Sequence, residues 1–520
     1  MKMIELVQLL YGKKQDGPNP NGVLEYACVG PTLAAPRSKR VNRWRESRSS
    51  LYRGHKMRLI SFILGLVVVY SALGLGLRHL RTSRRSVIGT PLCAQGASNQ
   101  YLISNVEESR AVEGLQEGMK MRKLPGTDLV VSELCLGTMM MGEQISKADS
   151  IEQMDKAAGE YGINFIDTAE SYPVPSAPSS QGRSEEFVGE WLKQGGSSRR
   201  QNTVIATKVC GFSDEITWCR KNGQGTRVTE EQVMEAVDAS LKRLGTDYID
   251  LLQIHWPDRY VPLFGAPEYR YDLERTDSTP IKTQLEIMDK LIKSGKVRHF
   301  GLSNETPYGL TEFAKTAELL GLPKPATTQN VYNLLVRNDF ETGMMEACSP
   351  ANGNVGLLAY SPLAGGALTG KYRKALRHDL NIDEHRLTKY VGFMHRYLAD
   401  PTSDAIEAYC DAAEAIGLPL GPLSIAFVAS RPFTTSTIIG CSNLQQLEEA
   451  VLSLNIPISD EVYTLLDDVK KKHPDPTKGV FSVMDPTKEY VDPSKLPWGA
   501  KDVDIDPELD LLISERLNKF

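Results

Sequence analysis

Beyond residue 121, short apolar runs rich in β-branched residues alternate with longer amphipathic stretches. The predicted strands are residues 132–138, 164–168, 203–209, 249–255, 297–302, 327–331, 355–360 and 436–440. The predicted helices are residues 148–160, 184–193, 229–243, 283–294, 308–320, 404–416 and 443–453. Strands that alternate with helices form βαβ units with parallel strands. Eight such units in about 330 residues predict an α/β fold, a (β/α)8 TIM barrel.

A doubly wound sheet is the alternative, and it normally carries a G-x-G-x-x-G turn after its first strand. Here the first strand reads LCLGTMMMG over residues 134–142, and no P-loop motif occurs in the sequence. The barrel is therefore favoured. Long segments follow three of its strands, over residues 210–228, 257–280 and 371–403. Because active sites of such barrels lie at the carboxyl ends of the strands, we expect these segments to be catalytic-face loops that shape specificity.

The first hundred residues differ in charge from the rest of the chain. They hold 16 of the 60 basic residues but only four of the 65 acidic ones. Residues 59–77 carry no charge and, at about 1.5 Å per residue, would just span a bilayer. An Arg- and Ser-rich stretch without acidic residues follows them. This order predicts a basic N-terminal leader with one hydrophobic segment, a two-part plastid address, and the alternative is a single-pass anchor that contacts a membrane through residues 59–77.

The predicted organisation therefore has five parts. They are an amino-terminal extension over residues 1–56, a hydrophobic signal or transmembrane segment over 57–77, a transit-like linker over 78–118, the barrel over 119–472 and a Pro- and Asp-rich tail over 473–520.

Three consecutive predicted strands end in ionisable groups. The strings are NFIDTAESY over residues 164–172, VIATKV over 204–209 and LLQIHWPD over 251–258. Each group alone has an ordinary structural explanation, as a loop cap, a buried ion-pair partner or a core histidine. Because the carboxyl ends of barrel strands converge, we expect Asp167, Tyr172, Lys208 and His255 to form one catalytic site.

These residues resemble the catalytic tetrad of the aldo-keto reductase superfamily, in its Tas-like branch, which includes plastid members. The strings GINFIDTAESYPVP, LKRLGTDYIDLLQIHWPDRYVPLFG and GLLAYSPLAGG carry the resemblance, which runs over about residues 121–472. It implies NADPH-dependent reduction of aldehydes or ketones to alcohols. Tyr172 would be the general acid, and Lys208 would stabilise its anion because a tyrosine of pKa about 10 is a poor donor at neutral pH. Asp167 would hold Lys208, and His255 would orient the substrate carbonyl.

The resemblance also implies a set of cofactor contacts at the barrel mouth. Ser303, Asn304 and Gln329 would contact the nicotinamide carboxamide, Tyr360 would stack on the ring, and the backbone of residues 361–366 would meet the pyrophosphate. The implied cofactor residues are Thr138, Met139, Ser303, Asn304, Gln329, Tyr360, Ser361, Leu363, Gly365, Lys371, Gly440, Ser442, Asn443 and Gln446. Residues 434–450 contain no Lys or Arg, whereas many relatives use one there for the 2′-phosphate. NADPH is nevertheless favoured over NADH, because the resemblance implies the cofactor that this family usually uses.

The remaining expectations concern ligands and partners. Trp256 and Phe264 are predicted to line a pocket for a small-molecule carbonyl substrate. The eight Cys and eight His are dispersed and show no metal-ligand spacing, so no metal is expected. Basic charge over residues 37–58 lacks the features of a nucleic-acid site, and the oligomeric state stays open. The alternative function is an NADPH-binding sensor with slow turnover, since related barrels serve as potassium-channel subunits.

Overall fold

A computed structural model describes residues 106–110, 113–373, 385–390 and 394–478 of the chain. The predicted amino-terminal extension and the hydrophobic segment 59–77 lie outside the described residues. The plastid and membrane roles predicted for them stay predictions. Most of the predicted linker over 78–118 and of the tail over 473–520 also lies outside them.

Eight parallel strands form a closed barrel, which confirms the predicted fold class. They are β4 (Leu134–Gly137), β5 (Phe165–Asp167), β6 (Val204–Val209), β7 (Ile249–Ile254), β8 (Val297–Ser303), β9 (Thr327–Val331), β10 (Gly356–Tyr360) and β11 (Thr434–Ile439). Each strand pairs with the next one along the chain, and β11 also pairs with β4, which closes the barrel. All eight predicted strands are therefore barrel strands.

A three-stranded antiparallel sheet, which the sequence did not predict, precedes the barrel. Its strands are β1 (Val106–Arg110), β2 (Met119–Lys123) and β3 (Val130–Ser132). Leu124, Leu129 and Val131 of the β2–β3 hairpin pack in one buried cluster with inward-facing strand residues such as Phe165 and Val204. Since Phe165 and Val204 are the first residues of their strands, the hairpin closes the amino end of the barrel. The carboxyl end is left for the site.

Helices surround the barrel strands. They are α1 (Lys147–Gly159), α2 (Arg183–Gln201), α3 (Glu230–Leu244), α4 (Ile281–Lys293), α5 (Pro307–Leu320), α6 (Asn338–Glu341), α7 (Gly343–Cys348), α8 (Arg386–Lys389), α9 (Asp400–Ala415), α10 (Leu420–Ser430), α11 (Leu444–Leu452) and α12 (Asp460–Lys472). Helix α3 shows why they form where they do. The Thr229 side chain caps its first turn, and Gly245, at φ 62°, ends it in the left-handed conformation that glycine adopts at low cost.

No single helix among the described residues is long and apolar enough to cross a bilayer. Helices α9 and α10 meet the length and composition requirement only as a pair bent by 92°.

Candidate active site

Lys208 is the centre of a buried cluster at the carboxyl ends of β5 and β6. Its side chain is fully buried. Its ammonium Nζ lies 2.6 Å from Asp167 Oδ2, 2.9 Å from the Thr168 carbonyl oxygen and 3.3 Å from the Tyr172 hydroxyl. An ammonium has three hydrogens, so each one finds an acceptor here. Because the Tyr172 oxygen accepts from Lys208, the hydroxyl proton of Tyr172 remains available to another acceptor.

The pKa values of this cluster follow from burial and charge. Burial raises the pKa of the Tyr172 phenol above its ordinary value, and the Lys208 ammonium opposes that change. Burial alone would lower the pKa of Lys208, but the neighbouring Asp167 carboxylate and Tyr172 outweigh it, so the pKa of Lys208 is raised. Lys208 therefore stays charged at neutral pH, and Tyr172 keeps its proton in the absence of substrate.

The second oxygen of Asp167 binds two glutamines. Asp167 Oδ1 accepts hydrogen bonds from Gln329 Nε2 at 2.8 Å and Gln253 Nε2 at 3.2 Å. Gln329 Nε2 also lies 3.2 Å from Gln253 Oε1. The sequence analysis missed Gln253. Its position two residues before His255 on β7, on the same face of the strand, was the available signal.

His255 follows β7 and faces Tyr172. The two rings lie edge to face with centroids 5.5 Å apart, and Trp256 flanks His255 at 5.0 Å. Burial, and secondly the Lys208 charge, hold the pKa of His255 well below its ordinary value. The His255 Nδ1 atom is buried and has no hydrogen-bond partner among the described residues. The structure thus brings Asp167, Tyr172, Lys208 and His255 together, with a neutral imidazole at neutral pH.

The residues assigned to the nicotinamide lie at the ends of β8, β9 and β10, beside His255. The Tyr360 hydroxyl donates to Asn304 Oδ1 at 2.7 Å, and Asn304 Nδ2 donates to the His255 carbonyl at 2.9 Å. Ser303 Oγ donates to the Gln329 carbonyl at 3.0 Å. Hydrogen bonds therefore connect these residues and hold their backbones close to the tetrad.

Thr138 and Met139 follow β4 on the other side of Asp167. Thr138 donates to the Asp167 carbonyl through its backbone N–H at 2.9 Å and its hydroxyl at 3.1 Å. Met139 is half-buried and packs in the small apolar cluster of Tyr172. Both residues therefore border the tetrad.

A tight turn follows β10, over the residues that are expected to meet the pyrophosphate. Ser361, Ala364, Gly365 and Gly366 all have positive φ angles, of 55°, 50°, 67° and 101°. A Cβ at Gly365 would lie 3.0 Å from the side chains of Leu387 and Met394, and one at Gly366 would lie 3.4 Å from Lys371 Nζ. Lys371 thus lies against the turn, and burial lowers the pKa of its ammonium. Leu363 packs against the barrel core.

The last four of the implied cofactor residues lie where β11 leads into α11, and they are Gly440, Ser442, Asn443 and Gln446. Asn443 caps the helix by accepting from the Gln446 N–H at 2.9 Å. Gln446 Oε1 accepts from the Ser442 N–H at 2.9 Å and its hydroxyl at 3.1 Å. Gly440 lies one residue beyond β11, next to Met140. This turn brings backbone N–H groups and the Ser442 hydroxyl together, and residues 434–450 contain no Lys or Arg.

A cavity of about 210 Å³ lies between the loops over residues 210–228 and 257–280. It is lined by Phe212, Asp214, Glu215, Trp256, Pro257, Arg259, Tyr260, Val261, Leu263, Leu273 and Arg275. Trp256 connects it to His255 and donates from Nε1 to the Phe212 carbonyl at 2.7 Å. Phe264 is half-buried in the same loop but is not one of the lining residues. Tyr269 and Tyr271 of the same loop are 45% and 81% exposed.

A second buried ion pair, Glu170 with Arg220, lies next to the tetrad and was missed in the sequence. Arg220 binds Glu170 with both terminal nitrogens, at 2.7 and 3.0 Å, and its Nε donates to Gln232 at 2.9 Å. Glu170 also accepts from the Cys210 N–H at 2.7 Å. The pair fixes the loop over 210–228 to the end of β6. No local spacing in the sequence indicates it, because Arg220 lies in the middle of that loop.

Arg386 is another residue that the sequence analysis did not single out. It begins α8, and its Nη2 lies 3.8 Å from the sulfur of Met139. Burial lowers the pKa of Arg386 to about 10. Its positive charge acts on the Tyr172 phenol in the same direction as that of Lys208. The segment around α8 therefore covers the Tyr172 side of the site.

No group of three His, Cys, Asp or Glu side chains in the described part of the chain could hold a metal ion. The site combines the buried phenol of Tyr172, the Lys208 cation beside it, the neutral imidazole of His255 and the tight backbone turn after β10.

Several known proteins are similar to this chain. Residues 133–471 match the model of the family described as Aldo/keto reductase family. The chain is 40% identical over 360 residues to Protein tas of Escherichia coli (strain K12), across 68% of this chain and 97% of that protein. It is 42% identical over 255 residues to an aldo-keto reductase of Babesia bovis, across 48% and 88%. It is 30% identical over 342 residues to a probable voltage-gated potassium channel subunit beta of Arabidopsis thaliana, across 65% and 92%.

Proposed function

Because the chain belongs to the aldo/keto reductase family and is thus an oxidoreductase of carbonyl compounds, we propose that it reduces aldehydes or ketones to alcohols with NADPH as reductant. Tyr172 is the proton donor in this proposal. The observation that carries it is the contact of Lys208 Nζ with the Tyr172 hydroxyl at 3.3 Å, inside a buried ion pair with Asp167.

The proton transfer follows from that contact. Reduction turns the carbonyl oxygen into an alkoxide, which takes the free hydroxyl proton of Tyr172. The phenolate that remains faces the Lys208 ammonium in a water-poor site, where opposite charges attract strongly. Asp167 keeps Lys208 in place but is acceptor-only, so it does not compete as the donor. In the reverse direction Tyr172 acts as the base.

His255 supplies the second contact to the substrate. A neutral imidazole carries one proton, and an N–H buried without an acceptor is costly. Since Nδ1 is the buried nitrogen without a partner, the proton belongs on Nε2. His255 therefore donates from Nε2 to the carbonyl oxygen and orients it toward Tyr172.

The residues present fit a nicotinamide dinucleotide. When bound, NADPH supplies the hydride that no side chain can provide. Asn304, Gln329 and Tyr360 would hold the nicotinamide end, and the turn over residues 361–366 with Lys371 would hold the pyrophosphate. Ser442 and Asn443 would meet the adenosine phosphate at the start of α11. NADH is the alternative cofactor, because residues 434–450 contain no cation for a 2′-phosphate.

The test is Tyr172→Phe in the full chain, purified in detergent and assayed with NADPH and a panel of aldehydes. We expect kcat for reduction to fall by about 10³-fold, since general acid catalysis contributes 10² to 10⁴. The NADPH Kd, measured by cofactor fluorescence, should stay within about twofold because Tyr172 is not assigned to cofactor binding. Tyr409→Phe is the matched control, since it removes a buried hydroxyl that donates to the Leu334 carbonyl at 2.9 Å. Equal activity of the two variants would refute the assignment of Tyr172.

A nucleotide sensor is the second candidate. It is favoured by relatives of the chain that are named as probable potassium channel beta subunits, in Arabidopsis thaliana and Oryza sativa. The intact arrangement of Tyr172 and Lys208 argues against a barrel without chemistry. Tight NADPH binding with near-zero oxidation by every aldehyde tested would support the sensor over the reductase.

A further inference from the structure

Gln253 lies at the junction of the two halves of the site. It is fully buried on β7 and takes no part in the chemistry described above. It donates to Asp167 Oδ1 at 3.2 Å and accepts from Gln329 Nε2 at 3.2 Å. Asp167 belongs to the proton-donor half, and Gln329 belongs to the half assigned to the nicotinamide. Gln253 is thus in direct contact with both halves.

The Asp167 carboxylate dictates how the two amides are oriented. A carboxylate only accepts hydrogen bonds, so each glutamine must present its NH₂ group to Oδ1. Gln253 then has its oxygen toward Gln329, and the two hydrogens of Gln329 Nε2 point to Asp167 and Gln253. Gln329 Oε1 accepts from no described residue. The orientation leaves Gln329 with an acceptor for a ligand and no donor.

We propose that Gln253 is a positioning residue that fixes Gln329 as an acceptor for the carboxamide NH₂ of the cofactor and holds Asp167 in place for Lys208. This inference rests on the proposed function. It explains why a polar side chain is buried in the barrel interior, where an unsatisfied amide would be costly.

The first test compares cofactor analogues. The 3-acetylpyridine analogue of NADP⁺ lacks the carboxamide NH₂, so it cannot donate to Gln329 Oε1. We expect the wild type to bind NADP⁺ about tenfold more tightly than the analogue, the value of one lost hydrogen bond in a buried site. Gln253→Met keeps the side-chain shape but removes both hydrogen bonds, and Gln329 is then free to turn. The ratio of the two Kd values should fall toward one.

The second readout is the pH profile of alcohol oxidation, which depends on the Tyr172 phenolate. Without Gln253, Asp167 loses one donor and attracts Lys208 more strongly, which weakens the contact of Lys208 with Tyr172. We expect the apparent pKa of oxidation to rise by about one unit. Gln253→Leu removes the same two hydrogen bonds with a different apolar side chain, so it should change the analogue ratio and the pH profile in the same direction. It is the second variant if Gln253→Met does not fold.

Gln284→Met is the matched control. Gln284 is a buried glutamine of α4 that donates to the Thr279 carbonyl at 2.6 Å, outside the site. The inference is overturned if Gln253→Met shows the wild-type analogue ratio and pH profile and differs from the wild type only in stability, as Gln284→Met should. Failure of the proposed function is distinguishable, because it appears as a wild type without reductase activity. The ratio of the Kd values for NADP⁺ and its analogue can be measured from cofactor binding alone, without reductase activity.

Discussion

Two buried ion pairs have acidic members that lie three residues apart in the chain, and the pairs differ in what their cations contact. Asp167 pairs with Lys208 at 2.6 Å, and Glu170 pairs with Arg220 at 2.7 Å. In each pair both side chains are almost fully buried. The first pair joins the last residue of β5 to β6, and the second joins the segment after β5 to the loop after β6. Charge and burial therefore do not distinguish the pair that we propose to be catalytic from the other pair.

The difference lies in the geometry of the cations. Lys208 uses one hydrogen on Asp167 and one on the Thr168 carbonyl, which leaves the third for Tyr172. Both terminal nitrogens of the Arg220 guanidinium bind Glu170, and its Nε donates to Gln232. No ring hydroxyl lies against Arg220 in the described residues. An ammonium that has an N–H group left for Tyr172 can stabilise its phenolate. A guanidinium that is engaged with other side chains instead holds a loop in place.

The largest expected effect comes from Lys208→Met. Without the ammonium, the Tyr172 phenolate loses its counter-charge, so we expect kcat for reduction to fall by about 10³-fold. Removing one partner also leaves Asp167 buried and uncompensated, which should lower the free energy of unfolding by about 3–5 kcal/mol. Steady-state kinetics and urea unfolding measure the two effects. Retained kcat would show that the contact with Tyr172 has no catalytic role.

Arg220→Met should have the same structural effect without the catalytic one. It leaves Glu170 buried without its cation, so the free energy of unfolding should again fall by about 3–5 kcal/mol. We expect kcat per folded molecule to stay within about threefold of the wild type, because Arg220 contacts none of the four tetrad side chains in the described structure. A loss of kcat as large as that of Lys208→Met would end the distinction between the two pairs.

The sequence predicts the first pair and misses the second for a physical reason. Asp167, Lys208 and His255 occupy strand ends, and parallel strands of a barrel bring those ends together whatever the loops do. Arg220 lies in a loop, and its contact with Glu170 depends on how residues 210–228 fold back. Gln253 was not predicted as a site residue, because a single polar residue in an otherwise apolar strand has no sequence pattern that indicates its hydrogen-bond partners.

The same limit applies to the fold. The barrel strands are rich in apolar or β-branched residues, so all eight could be predicted. Helix α10 could not, because nine of its eleven residues are buried and it has no polar face to show a helical period. The hairpin of β2 and β3 was not predicted because three of the five residues of β2, MKMRK, are Lys or Arg, so the segment does not show an apolar strand pattern.

The smallest expected effect is a pH dependence of stability, to which the Asp167–Lys208 pair should contribute and the Glu170–Arg220 pair should not. The Lys208 charge is one of the two causes that hold the pKa of His255 well below its ordinary value, after burial. In the folded protein His255 stays neutral, but in the unfolded chain it takes up a proton below about pH 6.5. Stability from this source is therefore complete above pH 6.5 and declines as the pH falls, by up to about 1.4 kcal/mol per unit.

His255→Gln isolates this contribution, because every other histidine is shared with the wild type and cancels. Between pH 7.5 and 5.5, the wild type should lose about 1.4 kcal/mol more unfolding free energy than the variant, as measured by urea titration at both pH values. In an Arg220→Met background the difference should persist, since Arg220 is not among the causes of the His255 shift. In a Lys208→Met background, the pKa of His255 should rise toward the value that burial alone gives. Parallel pH dependences of the wild type and His255→Gln would mean that the folded and unfolded states protonate His255 equally, so that neither burial nor Lys208 depresses its pKa.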